Sequence, residues 1–352
     1  KVSGMEFRRD KKWTQFHDPR KGMELTDVES EIRYHPLTGE TGRICHFSLD
    51  SLPPVDNSAL IEATKTNCPF CPDAVRKVTP RYPENVVPGG RLEHGGAVLF
   101  PNMFPYDDDS AIAVLCPEHN LQADNLPTRP VIDGLTLARK FLVQIEAGFS
   151  DDSPASFPLA NWNHMPPSGG SQWHPHMQVI HTRTPTNRQR RLMQAEKAWH
   201  SDHGSPWLLD LLATEEAAGD RWIARSVSGS VAWLSSFAPT GMLGDCMAVF
   251  PERHRFSQLD DRDIAEFAEG LHKVLKGFAS KGLWSFSLVF FSGPASGEAQ
   301  PHRLFAEIVP RFYVNPLTHA PDVSFLQLMM QESIAMTYPE ETAALLRAAW
   351  IA

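Results

Sequence analysis

Apolar positions in this chain come in short runs rather than long stripes, and many of its 29 prolines fall in the first 190 residues. Proline fixes φ and lacks a main-chain N–H, so this punctuation predicts short strands joined by loops. Strand-like runs occupy residues 97–100, 111–116, 177–181, 230–236, 246–250, 285–291 and 305–309,. A 3.6-residue apolar period predicts helices over 132–147, 190–200, 260–276 and 339–349,. Strands and helices do not alternate as in a parallel βαβ sheet, so the expected class is α+β with antiparallel sheets.

The pattern also repeats. The run that ends in Pro117, Glu118 and His119 is matched by one ending in Pro251, Glu252, Arg253 and His254. Further on, the stretch Ser168 to His174 is echoed by Ser296 to His302. Two blocks in the same order predict duplication of a unit of about 130 residues, an ordinary domain size. The expected division is 1–190 for a first half that carries the chemistry and 191–352 for a degenerate second half.

Composition narrows the partners. Hydrophobic residues make up 42% of the chain and charged residues 21%, as in soluble globular proteins,. No apolar run is long enough for a membrane span, and the first ten residues lack the apolar core of a secretion signal,. The net charge is −9 with no Lys/Arg stripe, which argues against duplex nucleic acid,. Five cysteines, of which only Cys68 and Cys71 are close, suit a reduced, cytoplasmic protein,.

Candidate chemistry concentrates in two places. In an extended strand, alternate side chains share a face, so His174, His176 and Gln178 are expected to point one way. A neutral imidazole is a competent nucleophile toward phosphorus near neutral pH. Gln178 can donate its amide to a phosphate oxygen, as can main-chain N–H groups of the preceding loop at Gly169, Gly170 and Ser171. A bare His-x-His equally suits two hydrogen-bonded surface histidines. Cys68 and Cys71 have the spacing that lets two thiolates grip one tetrahedral Zn2+, with His119 and His174 as the best remaining ligands. Such a pair also suits a redox couple or two buried thiols. Asp107, Asp108 and Asp109 read as an exposed acidic turn, and Cys45, Cys116 and Cys246 as packing residues. His46, His164, His181, His254 and His302 read as structural or surface histidines.

Taken together these residues resemble the galactose-1-phosphate uridylyltransferase family of the histidine-triad superfamily. The segment His174, Pro175, His176, Met177, Gln178, Val179, Ile180 fits the alternating signature in its transferase form, with Gln at the third polar place. Asn163, Gly169 and Ser171 stand at the family's upstream offsets. Cys68, Cys71, His119 and His174 match its zinc ligands, and the stretches at Arg33 to Gly39 and at Asn102 look like its early and nucleotide-binding segments.

The resemblance implies duplicated histidine-triad-like halves, each an antiparallel sheet with packed helices. It implies a homodimer and a nucleotidylated His176, with Gln178 and Ser171 on the phosphate and Asn102, Asn163, Gly169 and Gly170 in the nucleotide site. The implied reaction moves a nucleoside monophosphate from a nucleotide sugar, through His176, to a phosphorylated small-molecule acceptor. A phosphorylase or hydrolase of the same fold is the neighbouring alternative, and a non-catalytic nucleotide-binding zinc protein the more distant one. Departures are specific. Met103 replaces an Asp of the nucleotide loop, and Arg43 alone stands where the family has an Arg-rich stretch. Phe305, Ala306 and Glu307 fall where a second metal's His-x-His would lie, and the hexose-contacting segment is rewritten at 325–330. These changes point away from galactose 1-phosphate as the acceptor.

Overall fold

The computed structural model describes residues 5–45, 51–150, 153–295 and 301–351. His46 and the loop from Ser296 to Gln300, both singled out above, lie outside them. The chain begins with strands β1 (Arg9–Asp18), β2 (Glu24–Tyr34) and β3 (Thr41–Cys45), then helices α1 (Ser58–Lys65) and α2 (Pro72–Val78). Strands β4 (Leu92–His94), β5 (Ala97–Pro101) and β6 (Asp109–Val114) lead to α3 (Thr128–Glu146), β7 (Phe157–His164) and β8 (His176–Thr182). Helices α4 (Asn187–His203) and α5 (Trp207–Ala218) follow, then β9 (Trp222–Arg225), β10 (Ala232–Leu234), β11 (Cys246–Val249) and α6 (Asp261–Ala279). The last stretch holds β12 (Ser285–Phe291), β13 (Phe305–Arg311), β14 (Tyr313–Asn315), β15 (Ala320–Pro321), α7 (Phe325–Leu328), β16 (Ser333–Ala335) and α8 (Pro339–Ile351).

Ten strands form one antiparallel sheet in the order β4-β5-β6-β8-β7-β12-β13-β11-β10-β9. Read inward from either edge, the two halves have the same pattern: 4-5-6-8-7 from one side and 9-10-11-13-12 from the other. The α+β class with duplicated halves is therefore as expected. The halves share one sheet, joined through β7 and β12, whose partners include Asn161 with Val289 and Asn163 with Ser287.

One face of the sheet is roofed by α3 and α6. The buried α6 residues Ile264, Phe267, Leu271, Val274 and Phe278 recur at helical spacing, and Asp260 caps the helix by accepting the Asp263 N–H at 2.8 Å,. These side chains join Leu135, Phe141, Trp162 and Phe290 in the main core. Burial on this scale is the dominant stabilising term. The other face is covered at its two ends. On the β5–β6 side, Val75 and Phe70 lie over Val98, Phe100, Ile112 and Val114. On the β10–β11 side, α4 and α5 bring Leu192, Trp199 and Leu208 against Leu234, Val249 and Phe305. The middle strands β8, β7 and β12 keep half-exposed residues on that face.

Two features escape the sequence pattern. The long β1–β2 hairpin is exposed along most of its length, so no apolar alternation marks it,. Strand β7 alternates buried Pro158, Ala160, Trp162 and His164 with half-exposed Phe157, Leu159, Asn161 and Asn163, and it occupies the centre of the sheet. Among the described residues, no helix is long and apolar enough to cross a membrane.

Candidate active site and metal cluster

Strand β8 begins at His176, two residues later than a continuous alternation from His174 requires. Pro175 has no N–H for the ladder, although its carbonyl still accepts the Leu115 N–H at 3.0 Å,. The chain bends just before it, at Trp173 and His174, so His174 does not share the strand face with His176 and Gln178. It is fully buried, whereas the other two are half-exposed.

The bend sends His174 into a cluster. Its Nδ1 lies 3.7 Å from Cys68 Sγ and 3.6 Å from Cys71 Sγ, and His119 Nδ1 lies 3.5 Å from Cys71 Sγ. All four ligand atoms fall within 4.8 Å of one another. A tetrahedral ion with ordinary Zn–S and Zn–N bonds requires S···N separations of about 3.6 Å. The outer nitrogens are fixed as metal-binding imidazoles need: His174 Nε2 donates to the Cys116 carbonyl at 2.8 Å, and His119 Nε2 meets Thr64 Oγ1 at 3.1 Å,. Burial pushes His174 down to about 4, which keeps it a neutral ligand. Burial and neighbouring Cys68 push the Cys71 thiol up to about 11, so holding Cys71 as a thiolate requires a cation,. The residues fit a metal ion.

The same bend orients His176. His176 Nδ1 lies 2.8 Å from the His174 carbonyl oxygen, to which it donates its proton, leaving the Nε2 lone pair free,. Burial lowers the pKa of His176, partly offset by that hydrogen bond, so the ring is neutral near physiological pH. The Phe70 ring of the cysteine knuckle stands edge-on to it, with centroids 5.2 Å apart.

Gln178 is in register with Asn161 on one side and Ile112 on the other. His176, Gln178, Asn161 and Asn163 thus share the middle of the open face. The loop above them demands its glycines. Gly169 has φ +87°, and a Cβ on Gly170 would approach the Asn163 carbonyl oxygen to 2.7 Å,. Gly169 and Gly170 donate their N–H groups to the Pro166 and Met165 carbonyls, so neither is spare for a ligand as the sequence suggested. Ser171, which is exposed, is the loop residue left to donate.

Asn102 is not beside these residues. Its N–H binds the Ser110 carbonyl and its Oδ1 accepts the Phe104 N–H at 3.0 Å, at the end of β5 level with Ile180. Four residues of strand, about 13 Å, separate that level from His176. Exposed Phe104 and Tyr106 occupy the same loop. The acidic turn is tied down, with Asp107 accepting from Thr182 and Asp109 3.2 Å from His181. Arg43 pairs with Glu332 at 3.3 Å.

The ladders also define the second half's counterparts. Leu115 N–H binds the Pro175 carbonyl just as Phe250 N–H binds that of Leu304. His176 therefore corresponds to Phe305, Gln178 to Glu307 and His174 to Arg303. The sequence echo of His174 in His302 is one residue out of register. His302 instead sits buried against Glu196, 2.8 Å from its carboxylate, and Arg303 Nη1 lies 3.2 Å from His254 Nδ1. Glu307 is paired with Arg188 at 2.7 Å.

No protein-family model matches the chain. An uncharacterized protein of Archaeoglobus fulgidus is 29% identical over 322 residues, covering 91% of this chain and 92% of that one. Among solved structures, an ADP-glucose phosphorylase from Arabidopsis thaliana with bound ADP-glucose superposes with a TM-score of 0.67 at 18% identity, covering 90% of this chain and 98% of that one. A uridylyltransferase superposes with a TM-score of 0.62 at 22% identity and the same coverage. The chain has the fold of these nucleotide-handling enzymes.

Proposed function

We propose that the chain is a nucleotidyltransferase of the galactose-1-phosphate uridylyltransferase type, acting through a covalent nucleotidyl-His176. The observation that carries this reading is the His176 ring itself, with Nδ1–H spent on the His174 carbonyl and Nε2 free on the open face. Attack by Nε2 on the α-phosphorus of a nucleotide sugar forms a P–N bond. The P–O bond to the sugar phosphate breaks, and its electron pair leaves with that oxygen. An acceptor phosphate oxygen then attacks the same phosphorus, and the P–N pair returns to Nε2. Gln178 and Ser171 donate to the phosphate oxygens as charge builds there. Asn163 holds the Gly169–Gly170 loop in place, and Asn102 with its exposed aromatic neighbours receives the base.

Cys68, Cys71, His119 and His174 would hold Zn2+ as a structural ion; its chemistry is to stabilise the thiolates and pin the bend from which His176 projects. The reading includes duplicated halves at 1–190 and 191–352 and a reduced, cytoplasmic setting. It also includes a homodimer, for which the exposed Phe325, Leu328, Met329 and Met330 are candidate contacts,. Light scattering tests that assembly.

Incubation with α-labelled nucleotide sugars tests the chemistry. Acid-labile label on the wild-type chain and none on His176→Ala is the expected result; no label from any donor removes the reading. Chasing labelled protein with sugar phosphates, inorganic phosphate or water then separates transferase from phosphorylase and hydrolase.

A further inference from the structure

The two halves align residue by residue at the place where the first gathers its candidate metal ligands. Counting from the paired N–H groups of Leu115 and Phe250, Cys116 matches Pro251 and His119 matches His254. Counting from the carbonyls that receive them, His174 matches Arg303. One hydrogen bond is common to both. His174 Nε2 donates to the Cys116 carbonyl at 2.8 Å, and Arg303 Nε donates to the Pro251 carbonyl at 2.8 Å. Beyond that bond, the first half turns His174 Nδ1 and His119 Nδ1 toward the two cysteines. The second half turns a guanidinium toward its histidine instead, with Arg303 Nη1 3.2 Å from His254 Nδ1.

The resemblance read from the sequence puts a second metal in this half, and the residues present do not fit one. His302 has both ring nitrogens on acceptors, Nδ1 2.8 Å from Glu196 Oε2 and Nε2 2.9 Å from the Phe291 carbonyl. Both nitrogens therefore carry protons, and neither offers a lone pair. His254 Nδ1 lies 3.0 Å from the His302 carbonyl oxygen as well as beside Arg303. A divalent ion brought here would meet a fixed positive charge. Burial opposes the charge of that guanidinium, and the nearby Glu252 and Glu196 carboxylates favour it.

We propose that Arg303 is a tethered cation that does in the second half what a metal ion would do in the first. It binds the turn at 251–254 to the entry of β13, through the Pro251 carbonyl on one side and the His302 carbonyl, 3.2 Å from Nη1, on the other. The cation belongs to the chain, so the second half keeps this turn without metal, and chelation acts through the first half alone. None of this depends on nucleotidyl transfer.

Titration of the full chain, as purified, with Co2+ tests the assignment, with ions per chain counted by metal analysis after gel filtration. Wild type is expected to hold no Co2+ that His254→Ala removes. Arg303→His, which copies the first half, is expected to hold one more ion per chain and to lose it when His254→Ala is added. Arg303→Met keeps the bulk and drops the charge and the donors. It is expected to melt about 3 °C or more below wild type, with metal content unchanged. Added Co2+ should raise the melting temperature of Arg303→His and leave that of Arg303→Met where it is. Co2+ held by wild type through His254 overturns the assignment, as does a folded Arg303→His that gains no ion. Where Arg303→His does not fold, Arg303→Met decides, and a melting temperature equal to that of wild type overturns the assignment. Wild type that holds no metal at all removes the ion from the first half and leaves Arg303 to be judged on the His254-dependent binding.

Discussion

The two halves of the sheet share a strand order and differ in what they place at matching positions. The first half has His176, Gln178 and Asn161 along its open strands, and the second has Phe305, Glu307 and Val289. Where the first gathers Cys68, Cys71, His119 and His174, the second has Arg303 against His254. The backbone ladder is therefore not what distinguishes the two sites. What differs is a bend just before Pro175 that turns one histidine inward and leaves the next with a free nitrogen. In the second half the corresponding residue is buried against Phe291, with the two rings stacked 4.6 Å apart.

The largest effect expected from breaking this contrast is at the nucleophile. His176→Ala should reduce nucleotidyl transfer by about 10³-fold or more and abolish covalent labelling, with little change in melting temperature. Rapid-quench kinetics and mass spectrometry check both. Next comes the cluster of Cys68, Cys71, His119 and His174. Cys71→Ser should lower metal content below stoichiometric and cost several kcal/mol of stability, on the order of 5 kcal/mol, as measured by metal analysis and chemical unfolding. Activity should fall through unfolding, so a residual folded fraction should keep its ability to label His176.

The difference between the halves was only partly legible in the sequence. His176 and Gln178 could be found because their signal is local, two residues apart in one strand. The same holds for Cys68 and Cys71, whose spacing is itself the chemistry. Strand β7 was hidden because proline and asparagine are poor strand formers, although the alternation of Pro158, Ala160, Trp162 and His164 was a period-two signal. The pairing of His302 with His174 was wrong because an identical residue one place away outweighed the register, which only the ladder reveals. Arg188 with Glu307 joins a helix to a strand far along the chain, and no local pattern announces such a contact.

Exchanging single residues between the halves sharpens the comparison. Gln178→Glu copies the second half's acid into the first and sets a carboxylate against the phosphate. A loss of about 10²-fold in transfer is expected, with the fold intact. Phe305→His copies the nucleophile the other way. It should gain no label at position 305, because the Glu307 carboxylate lies where a phosphate would need a donor and already engages Arg188 at 2.7 Å. It should also cost about 2 kcal/mol by placing a polar ring in the Phe291 stack. Label at that position would show that the second half lacks only its nucleophile.

The smallest expected effect separates the halves by pH. Burial, with the nearby His176 adding to it, pushes His164 in the first half down to about 3, well below its ordinary 6.5. The folded state resists protonation there, so the stability it contributes is complete above pH 6.5 and declines as pH falls below that value,. Asp245 in the second half is pushed up to about 7, from an ordinary 3.8, by burial and then by the charge of Glu307. The folded state holds that proton more tightly, so this contribution is complete below pH 3.8 and is lost as pH rises through about 7,. The two slopes oppose each other between the acid range and neutrality. Urea unfolding across that range should show His164→Phe flattening the acid-side loss while keeping the ring stacked 4.9 Å from Phe286. Asp245→Asn should flatten the loss toward neutrality and still accept from the Ser236 N–H. If either variant changes the slope assigned to the other half, the protonation of the two halves is coupled through the shared sheet, and the contrast between them is one of chemistry but not of stability.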